Sequence, residues 1–84
     1  MRDHRKLKAF ALADKLVEEV YKRTSTFPKS ETYGLLSQIR RAAVSVPTNI
    51  VEGCARKTHA EYAHFINQAF GSLREVGYLL DLPR

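Results

Sequence analysis

Leu35-Leu36-Ser37-Gln38-Ile39-Arg40-Arg41-Ala42-Ala43-Val44-Ser45-Val46-Pro47-Thr48-Asn49-Ile50-Val51-Glu52-Gly53-Cys54 is the stretch on which the fold turns. Ile39, Ala43, Val46 and Ile50 recur at helical spacing and form the centre of an apolar stripe. Upstream, Ser30 is a good N-cap, and Glu31 falls in the first turn where the helix dipole favours an acid. The spacing predicts a helix over about 31–54. Pro47 lies inside it and removes one backbone hydrogen bond, with a clash at the carbonyl of Ala43. The apolar pattern continues in phase to Ile50 and Cys54, which reads as one kinked helix, with a break before Pro47 as the alternative. The apolar arc, from Leu35 and Ala42 round to Val51 and Val44, spans about 200° of the wheel, where a one-sided surface helix needs about 100° or somewhat more. A helix apolar on two sides must bury both. Two neighbours within the chain can do so, or one neighbour and another subunit.

Working outward, Phe27-Pro28-Lys29-Ser30 and Gly53 to Thr58 read as breaks, and Pro83 stops the last segment. The first segment predicts a helix over about 7–24, with Phe10, Leu12, Ala13, Leu16, Val17, Val20 and Tyr21 on one half of the wheel. Glu18 and Lys22 stand at i,i+4 in the favourable order. The third predicts a helix over about 59–81. It opens on the capping box Thr58-His59-Ala60-Glu61, and Tyr62, Phe65, Ile66, Ala69, Phe70, Leu73, Val76 and Leu80 line one face. Strand-like alternation is absent. Three helices with short connections predict an all-α fold, an antiparallel up-down helical bundle, in a single domain covering 1–84.

The 84 residues carry 14 bases and 9 acids, a net charge of +5. Residues 1–28 and 29–57 each hold an excess of three bases, and residues 58–84 an excess of one acid. That field favours an anionic partner, nucleic acid or a membrane surface, or simply keeps a small protein soluble. The longest apolar run, Ala9 to Ala13, is too short to span a membrane. One cysteine, Cys54, makes no internal disulfide and fits a reducing, cytoplasmic compartment; it lies on the apolar side of its helix and reads as packed rather than reactive. His4, His59 and His64 have no metal-ligand spacing, so neither a metal nor another cofactor is expected. With no Gly-rich phosphate loop and no nucleophile beside a base, the pattern predicts a protein that is not an enzyme.

Ser37 to Gly53, with Phe27-Pro28-Lys29 and Tyr33-Gly34-Leu35 before it and Phe65-Ile66-Asn67-Gln68-Ala69 and Gly71-Ser72-Leu73-Arg74-Glu75 after it, resembles a bacterial four-helix bundle family. That family is encoded in intervening sequences of 23S ribosomal RNA genes. The resemblance covers roughly residues 7–82, and it is the combined order of the motifs that makes it specific. It implies a homo-oligomeric ring, a pentamer in members of the family, with no established enzymatic activity. A related branch serves diversity-generating retroelements as an accessory protein that binds the reverse transcriptase and nucleic acid. Family members usually carry a fourth helix, and this chain shows only three. The shortfall implies apolar surface left uncovered, from which assembly or aggregation follows. Val51 and Cys54 depart from the family's usual alanine and aromatic.

Two sets of candidate residues follow. Arg5, Lys6 and Lys8, with Arg2, form a basic N-terminal arm that either tracks nucleic-acid backbone or is a disordered end. Arg41 and Arg56 are candidates for phosphate, with Ser45, Thr48 and Asn49 as hydrogen-bond partners; the bland alternative pairs Arg56 with Glu52 at i,i+4. Arg56 and Lys57 at the start of the third helix form either an anion site or a solvated loop. The candidate oligomer interface comprises Arg40, Val44, Pro47, Val51, Gly71 and Glu75. Arg40, at the edge of the apolar arc, is expected to pair with Glu75 across a helix or subunit boundary. Mid-helix Gly71 is explained by close approach of another backbone. The charge points to an adaptor binding RNA or DNA, and the apolar excess to a protein-interaction or structural module.

Overall fold

The computed structural model describes residues 2–28 and 34–82. A 3₁₀ turn at His4–Lys6 leads into α1, Lys8–Thr24; α2 spans Leu35–Cys54 and α3 His59–Asp81. Among the described residues there is no strand. The predicted all-α class and the three helices are therefore present, and α3 has the predicted limits. The expected start of α2, with Ser30 and Glu31, lies outside the described residues.

Each helix end has a local cause. α1 ends on Thr24-Ser25-Thr26, whose hydroxyls donate to the carbonyls of Val20, Lys22 and Arg23 at 2.6, 2.7 and 3.1 Å. They satisfy acceptors that a helix C-terminus leaves open. α2 runs without a break through Pro47, so the alternative of two helices is excluded. Around the proline, Ser45, Thr48 and the Asn49 amide donate back to the carbonyls of Ala42, Val44 and Ser45 at 2.7–2.8 Å. The carbonyl that Pro47 leaves without its amide donor is that of Ala43, and these bonds go to carbonyls on either side of it. At α3 the Thr58 hydroxyl accepts from the Glu61 amide at 3.1 Å, as a capping box requires. The Glu61 carboxylate bonds the same hydroxyl at 3.0 Å rather than reaching the Thr58 amide.

Two core clusters set the topology. Val20, Ile39, Ala42, Ala43, Val76 and Leu79 form one, and Ala13, Val46, Ile50, Cys54 and Ala69 the other. Numbers rise from one cluster to the other in α2 where they fall in α1 and α3, so α2 runs antiparallel to both. Ile39 and Ala43 are wholly buried. Truncating a buried isoleucine to alanine costs about 2–5 kcal/mol. α1 and α3 both pack on α2 and barely meet each other. Two neighbours within the chain thus cover most of the wide apolar arc of α2. Val44 and Val51 stay exposed and Pro47 is half-buried. The apolar faces predicted for α1 and α3 are only half covered: Leu12 is 67% exposed and Phe70 61%. Periodicity identifies an apolar face, but α2 is too narrow to cover two such faces completely.

The glycines separate into contrasting cases. A Cβ on Gly53 would lie 3.1 Å from Phe65 Cβ and 3.4 Å from the Tyr62 carbonyl oxygen, so α3 approaches α2 because position 53 has no side chain. A Cβ on Gly71 would meet nothing within 4 Å. Within the chain, the close backbone approach expected at Gly71 is absent, and it occurs at Gly53 instead. Gly53→Leu should lower unfolding free energy by about 1–3 kcal/mol through overpacking. Gly71→Ala should raise it by about 0.5–1 kcal/mol through helix propensity. Urea unfolding of the two variants checks both signs. A loss for Gly71→Ala would mean that another chain's backbone sits there.

Candidate nucleic-acid interface

The N-terminal arm is folded onto the bundle. Asp3 accepts from the Arg5 amide at 3.0 Å and from Arg5 Nε at 3.1 Å, which closes the 3₁₀ turn. The Arg5 side-chain hydrogen bond, then the backbone one, holds the Asp3 carboxyl below its ordinary value; the same side-chain bond holds Arg5 above its own. Ahead of the turn, the Arg2 amide donates to the Cys54 carbonyl at 3.1 Å. The Arg2 guanidinium lies 3.9 Å from the Tyr62 ring centroid, and Nη2 donates to His59 Nδ1 at 3.0 Å. These contacts tie the arm to the end of α2 and the first turn of α3. Arg5, Lys6 and Lys8 therefore share one end of the bundle with Arg56 and Lys57. Arg2, which sequence reasoning left out of the core of this site, makes the connection. Nothing in local spacing signals a contact across 57 to 60 residues of chain.

The arginines at this end are occupied and the lysines face water. Arg56 donates to the Glu52 carboxylate at 2.7 Å and to the Glu52 carbonyl at 3.2 Å, and stands 4.9 Å from the Phe65 centroid. The i,i+4 pairing weighed against phosphate contact is thus the state of Arg56 in the free chain. It is a partly exposed pair, of the kind worth about 0.2–1 kcal/mol, so a phosphate can compete for it. At the α3 N-terminus the Thr58 hydroxyl already occupies the Glu61 amide, one of the donors of the anion site drawn around Arg56 and Lys57. Lys6, Lys8 and Lys57 are exposed.

Arg41 does not join this cluster. It is exposed on α2, 13 residues before Cys54, or about 20 Å along the helix axis. It lines a shallow depression with Tyr21, Ser37, Arg40 and Val44. The polar residues expected to assist it, Ser45, Thr48 and Asn49, donate to the carbonyls of α2 instead.

Within the chain Arg40 does not pair with Glu75. Its Nε donates to Thr24 Oγ1 at 3.0 Å, its Nη2 lies 3.4 Å from the Tyr21 carbonyl oxygen, and its Cζ sits 4.4 Å from the Tyr21 centroid. The α1 C-terminus offers open carbonyls and the negative end of the helix dipole, so it holds a guanidinium as well as an acid would. Thr24 is 1% exposed; its hydroxyl accepts from Arg40 while donating to Val20. Glu75 is exposed on α3. In α1, Lys22 reaches Glu19 at 3.9 Å rather than Glu18. Cys54 is free and buried, as its place on the apolar side predicts. Among the described residues no group of three or more His, Cys, Asp or Glu side chains could hold a metal, and no helix is long and apolar enough to cross a membrane.

A helical chain with this order of caps, breaks and apolar faces can be set beside known families. The family model for the 23S rRNA-intervening sequence protein matches residues 5–84. The chain belongs to that family. Among curated proteins none matches it. The match takes in all three helices and begins at Arg5, so Arg2 and Asp3, which fold the arm onto the bundle, lie ahead of it.

Two predictions follow from these contacts. Arg40→Ala should cost about 1–3 kcal/mol, since it leaves the buried Thr24 hydroxyl short of a donor and takes the cation from the α1 C-terminus. Arg40→Lys should recover only part, because an ammonium lacks the fork and the stacking plane; chemical denaturation measures both. The second concerns acid. A depressed native carboxyl contributes above its unfolded value, ~3.9, and the contribution is lost as pH falls through the lower native value. The Arg5 amide resonance should therefore hold its folded shift from pH 8 to pH 5 and move only below about pH 4.

Proposed function

We propose that this family member is a non-catalytic binding protein that assembles with copies of itself and holds nucleic-acid backbone at its basic end. The observation that carries the reading is the docking of Arg2 on Tyr62, His59 and the Cys54 carbonyl. That docking gathers six bases, Arg2, Arg5, Lys6, Lys8, Arg56 and Lys57, against three acids, Asp3, Glu52 and Glu61. Cations collected on one end neutralise phosphates additively and release their counterions. Repeating a +5 subunit around a ring concentrates that field further.

The assembly surface is the outer edge of α2. Val44, Pro47 and Val51 recur at i, i+3 and i+7 and keep apolar surface in contact with water. A row of this spacing fits the groove of a second helix. Gly71 and Glu75 lie on α3 and belong to this interface only if a neighbouring subunit reaches across to them. A second reading, a protein-interaction module such as an accessory partner of a reverse transcriptase, draws on the same exposed valines.

Titration with a structured RNA at several salt concentrations tests the first reading. Binding should weaken on a log–log line, and Lys6→Ser, Lys8→Ser and Lys57→Ser together should flatten its slope by about 2–3. Arg41→Ser should change the slope by about one at most. No binding at low salt, or binding with no salt dependence, overturns it. Light scattering tests assembly: Val44→Glu should reduce the particle toward the 9.6 kDa chain, and a wild-type particle already of that mass at high concentration refutes the ring. A protein partner retained after nuclease treatment favours the second reading.

A further inference from the structure

Arg2 fastens the arm to the bundle by three contacts, and they answer differently to acid. Its amide donates to the Cys54 carbonyl at 3.1 Å, and its guanidinium lies 3.9 Å from the Tyr62 centroid. Carbonyls and phenols keep their charge state between pH 5 and pH 8. The third partner is an imidazole. Arg2 Nη2 stands 3.0 Å from His59 Nδ1. A guanidinium only donates, so Nδ1 is the acceptor, and the ring is neutral with its proton on Nε2. A protonated imidazole carries an N–H on both nitrogens. In that form Nδ1 has nothing to offer Arg2, and two cations stand at hydrogen-bond distance. One proton turns the contact from attraction into repulsion.

The surroundings do not offset that repulsion. On the arm, the Asp3 carboxylate is engaged by the Arg5 amide and Nε, and His4 stands edge-on to Phe10. At the end of α2, Glu52 holds Arg56 at 2.7 Å, and Cys54 is buried. In α3, Glu61 bonds the Thr58 hydroxyl at 3.0 Å, and Tyr62 lies under Arg2. Lys57, just ahead of α3, adds a further exposed cation. Among the described residues no carboxylate bonds either His59 or Arg2. Once the bond to His59 is lost, a cation–π contact at an exposed site and one backbone bond remain. They are of the same small order as what is lost, so the balance moves toward the free arm. The release stops at the 3₁₀ turn. Asp3 and Arg5 close that turn from within, and Leu7 and Phe10 behind it pack on the core cluster that holds Cys54.

We infer that Arg2 and His59 form a pH-operated latch, which docks the arm while His59 is neutral and lets it go when His59 takes a proton. The docked arm binds one proton fewer than the free arm, so docking weakens as pH falls. Imidazoles charge within about pH 5–8. Release also turns the Arg2 guanidinium out beside the exposed Arg5 and Lys6 and adds the charge of His59, so the same proton makes this end more basic. The test needs no nucleic acid, so its outcome is separate from that of the proposed function. NMR of the full chain reads the latch through the Arg2 δ-methylene protons, which do not exchange with solvent. At pH 8 the Tyr62 ring current should hold them upfield of the exposed-arginine position. By pH 5 they should move toward it, with the docked-to-free ratio falling at least about tenfold. The Arg5 amide, inside the turn, should keep its shift over the same range. His59→Gln removes the charge change and should abolish the movement. His59→Lys carries a fixed cation and should give the exposed position at both pH values, with the fold intact by circular dichroism. His4→Gln, which removes the other histidine of this end, should titrate as the wild type. An Arg2 signal that stays still in the wild type overturns the inference, as does one that still moves in His59→Gln or stops moving in His4→Gln.

Discussion

At position 53 a helix without a side chain lets another helix come close. A Cβ there would sit 3.1 Å from Phe65 Cβ, so the seating of α3 on α2 rests on a missing methyl group. The same economy runs along α2, where Ala42, Ala43 and Cys54 are buried beside it. Small residues keep α2 thin enough for α1 and α3 to use it at once, and dispersion contacts are gained at short range on both sides. The cost is width: a thin central helix covers only the inner halves of its neighbours' apolar faces. The half-covered apolar faces of α1 and α3 are a consequence of this packing choice.

Arginine supplies the ties that apolar packing leaves out. Arg40 joins the end of α1 to α2, Arg2 joins the arm to α3, and Arg56 closes the end of α2. Each lays its guanidinium near an aromatic ring, respectively Tyr21, Tyr62 and Phe65. Arg40 and Arg56 also put a guanidinium N–H at or close to a main-chain carbonyl near a helix end, while Arg2 reaches the Cys54 carbonyl with its own backbone amide. A planar cation can do both at once, with its stem packed against apolar surface. The chain thus uses cations where a larger protein would use more core.

How much of this was legible in the sequence follows from the range over which each signal acts. Helix limits come from caps and breaks within four residues, so Thr58 with Glu61 placed the start of α3 correctly. Pro47 was ambiguous because a helix can absorb one lost hydrogen bond, here at the Ala43 carbonyl; Ser45, Thr48 and Asn49 bond other α2 carbonyls in place of serving phosphate. A cation at the edge of an apolar arc suggests an acid, but within the chain Arg40 meets the end of α1. A helix C-terminus, which has no letter of its own, serves equally well. Leu12 and Phe70 read as core because spacing reports a face and not its neighbour.

That division of labour among the cations bears on what the basic end can recognise. Its arginines already hold aromatic rings, carbonyls or carboxylates, and the cations left facing water are Lys6, Lys8 and Lys57. An ammonium is a compact, strongly hydrated charge on a flexible stem, without the fork that reads a guanine edge in two bonds. Contacts from such groups fix a strand by its phosphates and carry no sequence information. Whatever selectivity the protein shows toward nucleic acid must then come from shape, through the spacing of basic ends around an assembly, or from a protein seated on its apolar surfaces.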